Sequence, residues 1–469
     1  VLHFFEKTIC ITMNKAQGNI NELETRPVGR LLWIYSLPAV VGMLVMSLYN
    51  VIDRIFIGQG VGADAIAGLS ITFPVMNISA AIGILVGAGA AARISILLGA
   101  KDLHGAENVL GNTLVLIIIN GLIYTSIFGI FIDEILTLFG ASENTLPYAH
   151  DFMLWMLPGM LITNITYSFN SIMRSSGYPS KAMITMIIGA MANVILAPIF
   201  IFILDMGIKG AAIATDIAMA ISGTFVMRHF FDKTKTLHFV SGIYRLKWKI
   251  VWPIIAIGAA PSLVSAASSA ITAIINNSLY KYGGDVAVGA AGIFVTYTSL
   301  LTTVVVGLCQ GVQPIIGYNY GAGRFDRLKR TFWLASCAGL AVTILGAVFG
   351  QSFPGFIARA FTNDEMLIDA TINGLTISLT LFYVVGFQIV ATTFLQSIGL
   401  AGKSIFLSLV RQVIFLIPFL LILPKSFGLD GVWASFPTSD VFSTITAGLM
   451  IWWEMRQLNK ITLKRKNER

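Results

Sequence analysis

Three carboxylates, Asp53, Asp216 and Asp440, stand inside long apolar runs of this 469-residue chain. An ionisable group is expensive in such a place and marks a functional position by default. Asp53 sits in Tyr49-Asn50-Val51-Ile52-Asp53-Arg54, toward the outer end of its run. Burial favours a protonated carboxyl and a bound cation favours a charged one, so a single group of this kind can exchange a proton for another ion. A hydrogen-bonded structural role within a helix bundle is the other reading. Arg54 is the next residue, but neighbours on a helix do not face each other; its long side chain is expected to snorkel to the outer interface. Asp216 follows Thr215 and Asp440 follows Ser439. For both, ion coupling, substrate contact and local polar packing stay open.

The elements that must position these acids follow from composition. The chain is 56% hydrophobic and 12% charged, with a mean hydropathy of +0.80, against roughly a quarter charged in an ordinary soluble domain. A water-soluble fold is excluded. At about 20 apolar residues per span, apolar runs between charge and Gly/Pro breaks predict twelve helical spans. They lie near 31–58, 66–98, 108–132, 148–173, 182–204, 208–227, 250–280, 287–316, 331–350, 367–395, 404–424 and 428–453. No cleaved signal peptide is expected, and the polar stretch from Val1 to Thr25 receives no function. Cys10, Cys309 and Cys337 form no spacing pattern, and core packing is the reading for the last two.

A net charge of +8 raises nucleic acid as a partner, but its placement argues against one. Alternate loops on one side hold only Lys209, Lys281, Arg359 and Lys425, while the opposite loops and both termini carry the basic excess. By the positive-inside rule both termini are expected in the cytoplasm. The densest basic stretches, Arg228 to Lys249 and Arg456 to Arg469, then face anionic headgroups.

One constant shift, the one that carries Gly89 onto Gly311, also carries Phe139 onto Phe361, Gly177 onto Gly399 and Lys181 onto Lys403. Near the ends it drifts by one, as with Gly210 and Gly431. The chain is thus two copies of a six-span unit. An even number of spans makes the copies parallel, a transporter architecture with a cavity at the repeat interface. The expected organisation is an N-terminal segment 1–30, a first lobe 31–227, a basic linker 228–249 tethering the lobes beneath the cavity, a second lobe 250–453 and a basic tail 454–469. Pro38 and Gly42 lie one turn apart in span 1, where a helix can kink.

Enzyme motifs are missing. His3, His104, His150, His229 and His238 lie in loops or at span ends without HExxH spacing, and glycine runs such as Gly87-Ala88-Gly89 lack the Lys-Ser/Thr of a phosphate loop. They read as close helix packing.

From about Arg30 to Arg456 the chain resembles the multidrug and toxic compound extrusion (MATE) transporters. The most specific pieces are Leu37-Pro38 with Asn50-Val51-Ile52-Asp53-Arg54-Ile55-Phe56-Ile57-Gly58, and Gln313-Pro314-Ile315-Ile316-Gly317-Tyr318-Asn319-Tyr320-Gly321-Ala322; Arg174-Ser175-Ser176-Gly177 and Gln396-Ser397-Ile398-Gly399 add to them. The resemblance implies an all-α integral membrane fold of twelve transmembrane helices in two parallel six-helix repeats. It implies secondary active export of cationic or amphipathic compounds against H+ or Na+ entry. In the branch it most resembles, the cation is held in the first lobe, at positions matching Asp53, Asn193, Ala211 and Thr215, with Na+ at Asp53, Asn193 and Thr215. The motif resembling Asn-x-x-x-Asp-Pro reads Asn193-Val194-Ile195-Leu196-Ala197-Pro198 here, so a second acid is absent. Losing a carboxylate weakens a hard-cation site, and Asp216 is a candidate substitute. Other branches carry acids in spans 7 and 10, where this chain has Asn276, Asn277 and Gln388.

The expected protein is a monomeric, multi-pass antiporter of the bacterial inner membrane with lipid around it and no cofactor. Candidate cavity residues are Met43, Met46, Met76, Asn77 and Tyr297, with Asn276, Asn277 and Gln388; methionine adapts to varied apolar ligands. Ordinary helix packing is the competing reading for each. The alternatives of another class are a lipid or polysaccharide-precursor flippase and a membrane-embedded transferase.

Overall fold

Without water in the hydrocarbon core, every backbone N–H and C=O crossing it must be bonded within its own segment, and the chain answers with helix throughout. The computed structural model describes residues 21–61 and 63–467, apart from the side chains of 21, 54, 63–67, 269–270 and 464–467. The expectations for Cys10 and for the Arg54 side chain therefore fall outside the described residues.

The first lobe holds α1 (Val28–Gly60), α2 (Ala63–Gly99), α3 (Leu103–Ile130), α4 (Leu146–Ser175), α5 (Pro179–Pro198, continued by a π turn at Ile199–Ile203) and α6 (Gly207–Phe231). In the second lobe, one helical stretch from Trp248 to Gly321 reverses at Gly284, whose φ of 65° suits glycine. This gives α7 (248–283) and α8 (285–321). Next come α9 (Phe325–Ser352) and α10, which is Glu365–Ser378 and Phe382–Ser397 bent by 57°. A final helical stretch turns at Gly428, φ 56°, into α11 (401–427) and α12 (429–467). The described residues thus cross the membrane twelve times in two sets of six.

The repeat is visible in the backbone. Gly177 and Gly399, paired by the sequence shift, both take positive φ, 100° and 81°, at the turns into α5 and α11. The break in α10 was not foreseen, because no Gly or Pro marks it. One carbonyl beside it is met from outside: the Thr343 hydroxyl donates to Tyr383 O at 2.6 Å.

Several expectations change. α1 is one helix through Pro38 and Gly42, and a Cβ at Gly42 would lie 2.7 Å from Met186 Sδ, so here this glycine lets α1 and α5 meet. Cys309 is buried as expected, but Cys337 is exposed on α9 beside Trp333 and Leu334, on a face left for lipid. The non-helical part of the linker is 232–247, since α6 runs to Phe231 and α7 starts at Trp248. That linker is clamped onto α3: Asn112 Nδ2 donates to Ile243 O (3.1 Å) and Arg245 O (3.2 Å), and its Oδ1 accepts from Lys247 N at 3.0 Å.

Among the described residues, the core that the lobes share lies at the end that carries the basic loops. There Leu31, Tyr35 and Ile94 of the first lobe share one core with Ile254, Ile315 and Tyr318 of the second. At the opposite end the core around Ile57, Phe152 and Ala211 belongs wholly to the first lobe, and that around Ile275, Leu375 and Trp433 wholly to the second. Close approach at the joined end depends on glycine. A Cβ on Gly89 would stand 1.9 Å from Ile254 O, and one on Gly258 1.7 Å from Leu85 O. The result is a cleft closed at the basic end and open at the other.

Candidate ion-coupling site and interlobe cleft

α1, α5 and α6 run side by side in the open half of the first lobe, and they bring most of the coupling candidates together. Asn193 (α5) and Thr215 (α6) are buried and bonded, Nδ2 to Oγ1, at 2.9 Å. The other amide atom, Asn193 Oδ1, is buried with no hydrogen-bond partner among the described residues. A buried acceptor left this way calls for a donor or a cation. Half-buried Asp53 lies on α1 one turn beyond Tyr49, and Tyr49 is buried against Met186 of α5 and Met219 of α6. Sequence reasoning passed over Tyr49; its i, i+4 spacing to Asp53 was the available signal.

Two candidates do not join this set. Ala211 is fully buried in the apolar core of the lobe, in company with Ala197, Ala214 and Met160. Ala197, where the resemblance implied an acid, is likewise fully buried in packed hydrocarbon. Asp216 turns to α4, so close to Gly159 that a Cβ there would lie 1.6 Å from its Oδ1. One residue step rotates a helix by about 100°, and Asp216 sits beside the Asn193–Thr215 pair rather than within it.

Thr215→Val removes the acceptor from a buried amide, and leaving such a group unsatisfied costs about 1–3 kcal/mol. The purified variant is expected to melt at lower temperature than the parent. An unchanged melting curve would mean the amide finds another partner.

The cavity candidates divide by lobe. Met46 is buried with Tyr49, Met186, Ala190 and Met219, and Met43 packs against them. Beside Met46 the first lobe keeps a small space, bordered by Thr166, Asn170, Met186, Gly189, Met219 and Ser222, with room for about one water molecule. Met43 also accepts from Gln310 Nε2 of α8 at 3.4 Å, which closes the floor of the cleft between the lobes. Met76 accepts from the Thr72 hydroxyl at 3.8 Å and packs on the outer core of the first lobe, with half-buried Asn77 next to it. Asn276 and Asn277 are exposed on α7. Tyr297 and Gln388 are internal ties of the second lobe: the Tyr297 hydroxyl donates to Gly346 O at 2.6 Å, and buried Gln388 donates to Leu407 O at 3.3 Å. Neither is brought to the first-lobe set. Asp440 is ion-paired with Arg411 Nε at 2.7 Å between α12 and α11, the local polar packing that the sequence left open.

A contact that sequence reasoning missed locks the closed end. The short helix Asn21–Thr25 precedes α1 yet grips the second lobe. Glu24 pairs with Arg324 and accepts from the Tyr318 hydroxyl at 3.4 Å. Arg327 donates through Nη2 to Leu23 O (3.0 Å) and Arg26 O (2.6 Å), while Leu23 is buried in the shared core. Backbone acceptors leave no side-chain signature, which is why this latch could not be read from residue types.

Known proteins agree with this architecture. The MatE family model matches residues 38–199 and 261–422, one stretch in each lobe, displaced by nearly the shift of the internal repeat. The multidrug export protein MepA of Staphylococcus aureus is 27% identical over 433 residues, covering 92% of this chain and 94% of its own. Its namesake from Staphylococcus haemolyticus is 28% identical over 414 residues, covering 87% and 90%. A MATE protein crystallised in a straight conformation superimposes with a TM-score of 0.88 at 26% identity, over 94% of this chain and 98% of that one. With two six-helix repeats each matched by the same family model, the chain is a multi-pass membrane transporter, not an enzyme, and belongs to the MatE family.

Proposed function

We propose that the protein is a secondary active antiporter that exports cationic or amphipathic small molecules across the bacterial inner membrane, in exchange for H+ or Na+, by alternating access. The observation that carries this reading is the cleft, closed at the basic end by shared core and glycine contacts and open between two independent cores at the other. The positive-inside rule puts the basic end and both termini in the cytoplasm, so the cleft faces outward. The names of the staphylococcal relatives support drugs as cargo.

Coupling falls to the first lobe, where Asp53 stands near the Asn193–Thr215 pair. Na+ requires several oxygen ligands, and the apolar packing around Ala197 supplies none from its side chain. A proton needs only one carboxylate. This chemistry favours H+, with Asn193 Oδ1 as the acceptor for a protonated or hydrated partner.

The test is transport in proteoliposomes loaded with a lipophilic cation, with H+ and Na+ gradients imposed one at a time. Export driven by the H+ gradient alone is expected. Export driven by Na+ alone would move the coupling to Na+, and none under either gradient would sink the antiport reading.

A further inference from the structure

At the basic end of the first lobe, His229 of α6 is 7% exposed, and both of its ring nitrogens lack a hydrogen-bond partner among the described residues. A neutral imidazole brings one donor and one acceptor, and burying them unbonded is costly unless a ligand meets them. The ring lies edge to face against Tyr178 at 4.5 Å, and the Lys181 ammonium stands 5.2 Å from the centre of the same Tyr178 ring. Tyr178 is also the residue that opens α5, and its side chain makes no capping bond. Pro179 has no N–H, and Ala182 donates to Tyr178 O at 3.1 Å, which leaves the N–H groups of Ser180 and Lys181 as the unpaired donors of a helix N-terminus. The linker adds Lys235, whose charge acts on Tyr178, Lys181 and His229. The acid of this corner is Asp232. It pairs with Lys235 at 3.3 Å and accepts from Thr234 N (3.0 Å) and the Thr234 hydroxyl (2.7 Å). Two lysines against one carboxylate leave a positive excess. Lys403, the repeat counterpart of Lys181, is instead neutralised within the second lobe, 2.6 Å from Glu454 and 3.8 Å from the centre of the Trp453 ring. Lys181 meets no acid at ion-pair distance among the described residues.

We propose that this corner, formed by His229, Lys181, Lys235 and the N-terminus of α5, binds a phosphate group, that of an anionic phospholipid in the leaflet at the basic end. Unpaired backbone donors and the positive end of a helix macrodipole favour an anion. Two ammonium groups add charge-assisted bonds to phosphate oxygens, and the imidazole gains the partner it lacks. The surroundings favour a lipid as the source of the phosphate. Phe231, 64% exposed, packs on Phe239 at 5.1 Å, and Phe239 on exposed Tyr244 at 6.2 Å, an aromatic patch of the kind that sits at headgroup depth. A basic linker draws anionic lipid in general; the buried histidine and the open helix end give one lipid a fixed place. A phosphate held there fastens the linker to the end of α6 and the start of α5.

The experiment measures binding of short-chain phosphatidylglycerol, phosphatidylcholine and inorganic phosphate to the purified full-length protein by native mass spectrometry. The parent is expected to bind phosphatidylglycerol at least tenfold more tightly than phosphatidylcholine. The double variant Lys181→Gln with Lys235→Gln is expected to lose that preference, and His229→Phe, which keeps a buried ring, to weaken phosphatidylglycerol at least threefold. Removing the same charge elsewhere on the basic end, by Lys247→Gln with Lys249→Gln, is expected to leave the affinity within twofold. An equal loss in both lysine pairs, or unchanged affinity in a folded His229→Phe, overturns the site. Should His229→Phe not fold, the two lysine pairs decide. Inorganic phosphate that binds as tightly as phosphatidylglycerol, with the same dependence on Lys181 and Lys235, would overturn the lipid as the source. Neither reading of the coupling ion bears on these outcomes.

Discussion

Asp53→Asn is expected to reduce gradient-driven export to the level of empty liposomes while the protein stays folded in the membrane. The substitution keeps the shape of the side chain and removes its ability to lose a proton or neutralise a cation. Asn193 and Thr215 are neutral and already bonded to each other at 2.9 Å, so neither can take over the charge. Asp216, held against Gly159, is turned away from that pair. The check is uptake and release of a fluorescent lipophilic cation in proteoliposomes, alongside the melting temperature of the same preparation. Full export by a folded Asp53→Asn protein would remove this residue from the mechanism.

Gly258→Ala is expected to have a comparably large effect through conformation instead of chemistry. Its new methyl would lie 1.7 Å from the Leu85 carbonyl oxygen, across the closed end of the cleft. Backbone cannot yield as a flexible side chain does. Overpacking costs typically about 1–3 kcal/mol, and each 1.4 kcal/mol is about a tenfold change in an equilibrium. The expense falls on the state in which the lobes meet there, so the population shifts toward the state in which they part. Export is expected to fall because the return to the outward-open state becomes rare. Cysteine labelling from the basic side, at positions buried in the shared core, measures it: labelling should rise sharply in Gly258→Ala. Equal labelling in parent and variant would mean that these contacts do not hold the cleft shut. Arg327→Ala removes the donor to Leu23 O and Arg26 O and should shift labelling in the same direction by a smaller amount.

These two cases also separate what a sequence can disclose from what it cannot. The spans were legible because hydropathy and the hydrocarbon thickness are local properties, and the repeat because Gly177 and Gly399 are needed for the same turn in both copies. Asp53 was legible because an acid in an apolar run has a cost wherever it points. Asn193 and Thr215 were named by family resemblance as cation positions, but the bond between them is a relation between helices that only the structure shows. For Tyr297 and Gln388 the sequence left cavity lining and helix packing open, since a polar side chain in a span can tie its own lobe, as both do here, as readily as line a cavity. The same limit hid the pairing of Arg411 with Asp440: each charge was visible, but the relation between helices that joins them is tertiary. The break in α10 carries no Gly or Pro, and the latch at Asn21–Thr25 is bonded largely through backbone carbonyls, so neither had a compositional sign. Cys337 shows the inverse case, because a membrane protein exposes to lipid the residue types that a soluble one buries.

The central claim is that two rigid lobes part and close about the basic-end contacts while the first lobe carries the ion. It is tested most directly by the separation of spin labels placed across the mouth of the cleft, at exposed Leu138 in the first lobe and exposed Phe361 in the second. In nanodiscs that support transport, the account requires a long separation for the parent. It requires a second, shorter one to grow when Gly258→Ala is introduced or when ion and cargo conditions favour inward opening. A single separation, unchanged by the variant and by every ionic condition in a preparation that still exports, would contradict it.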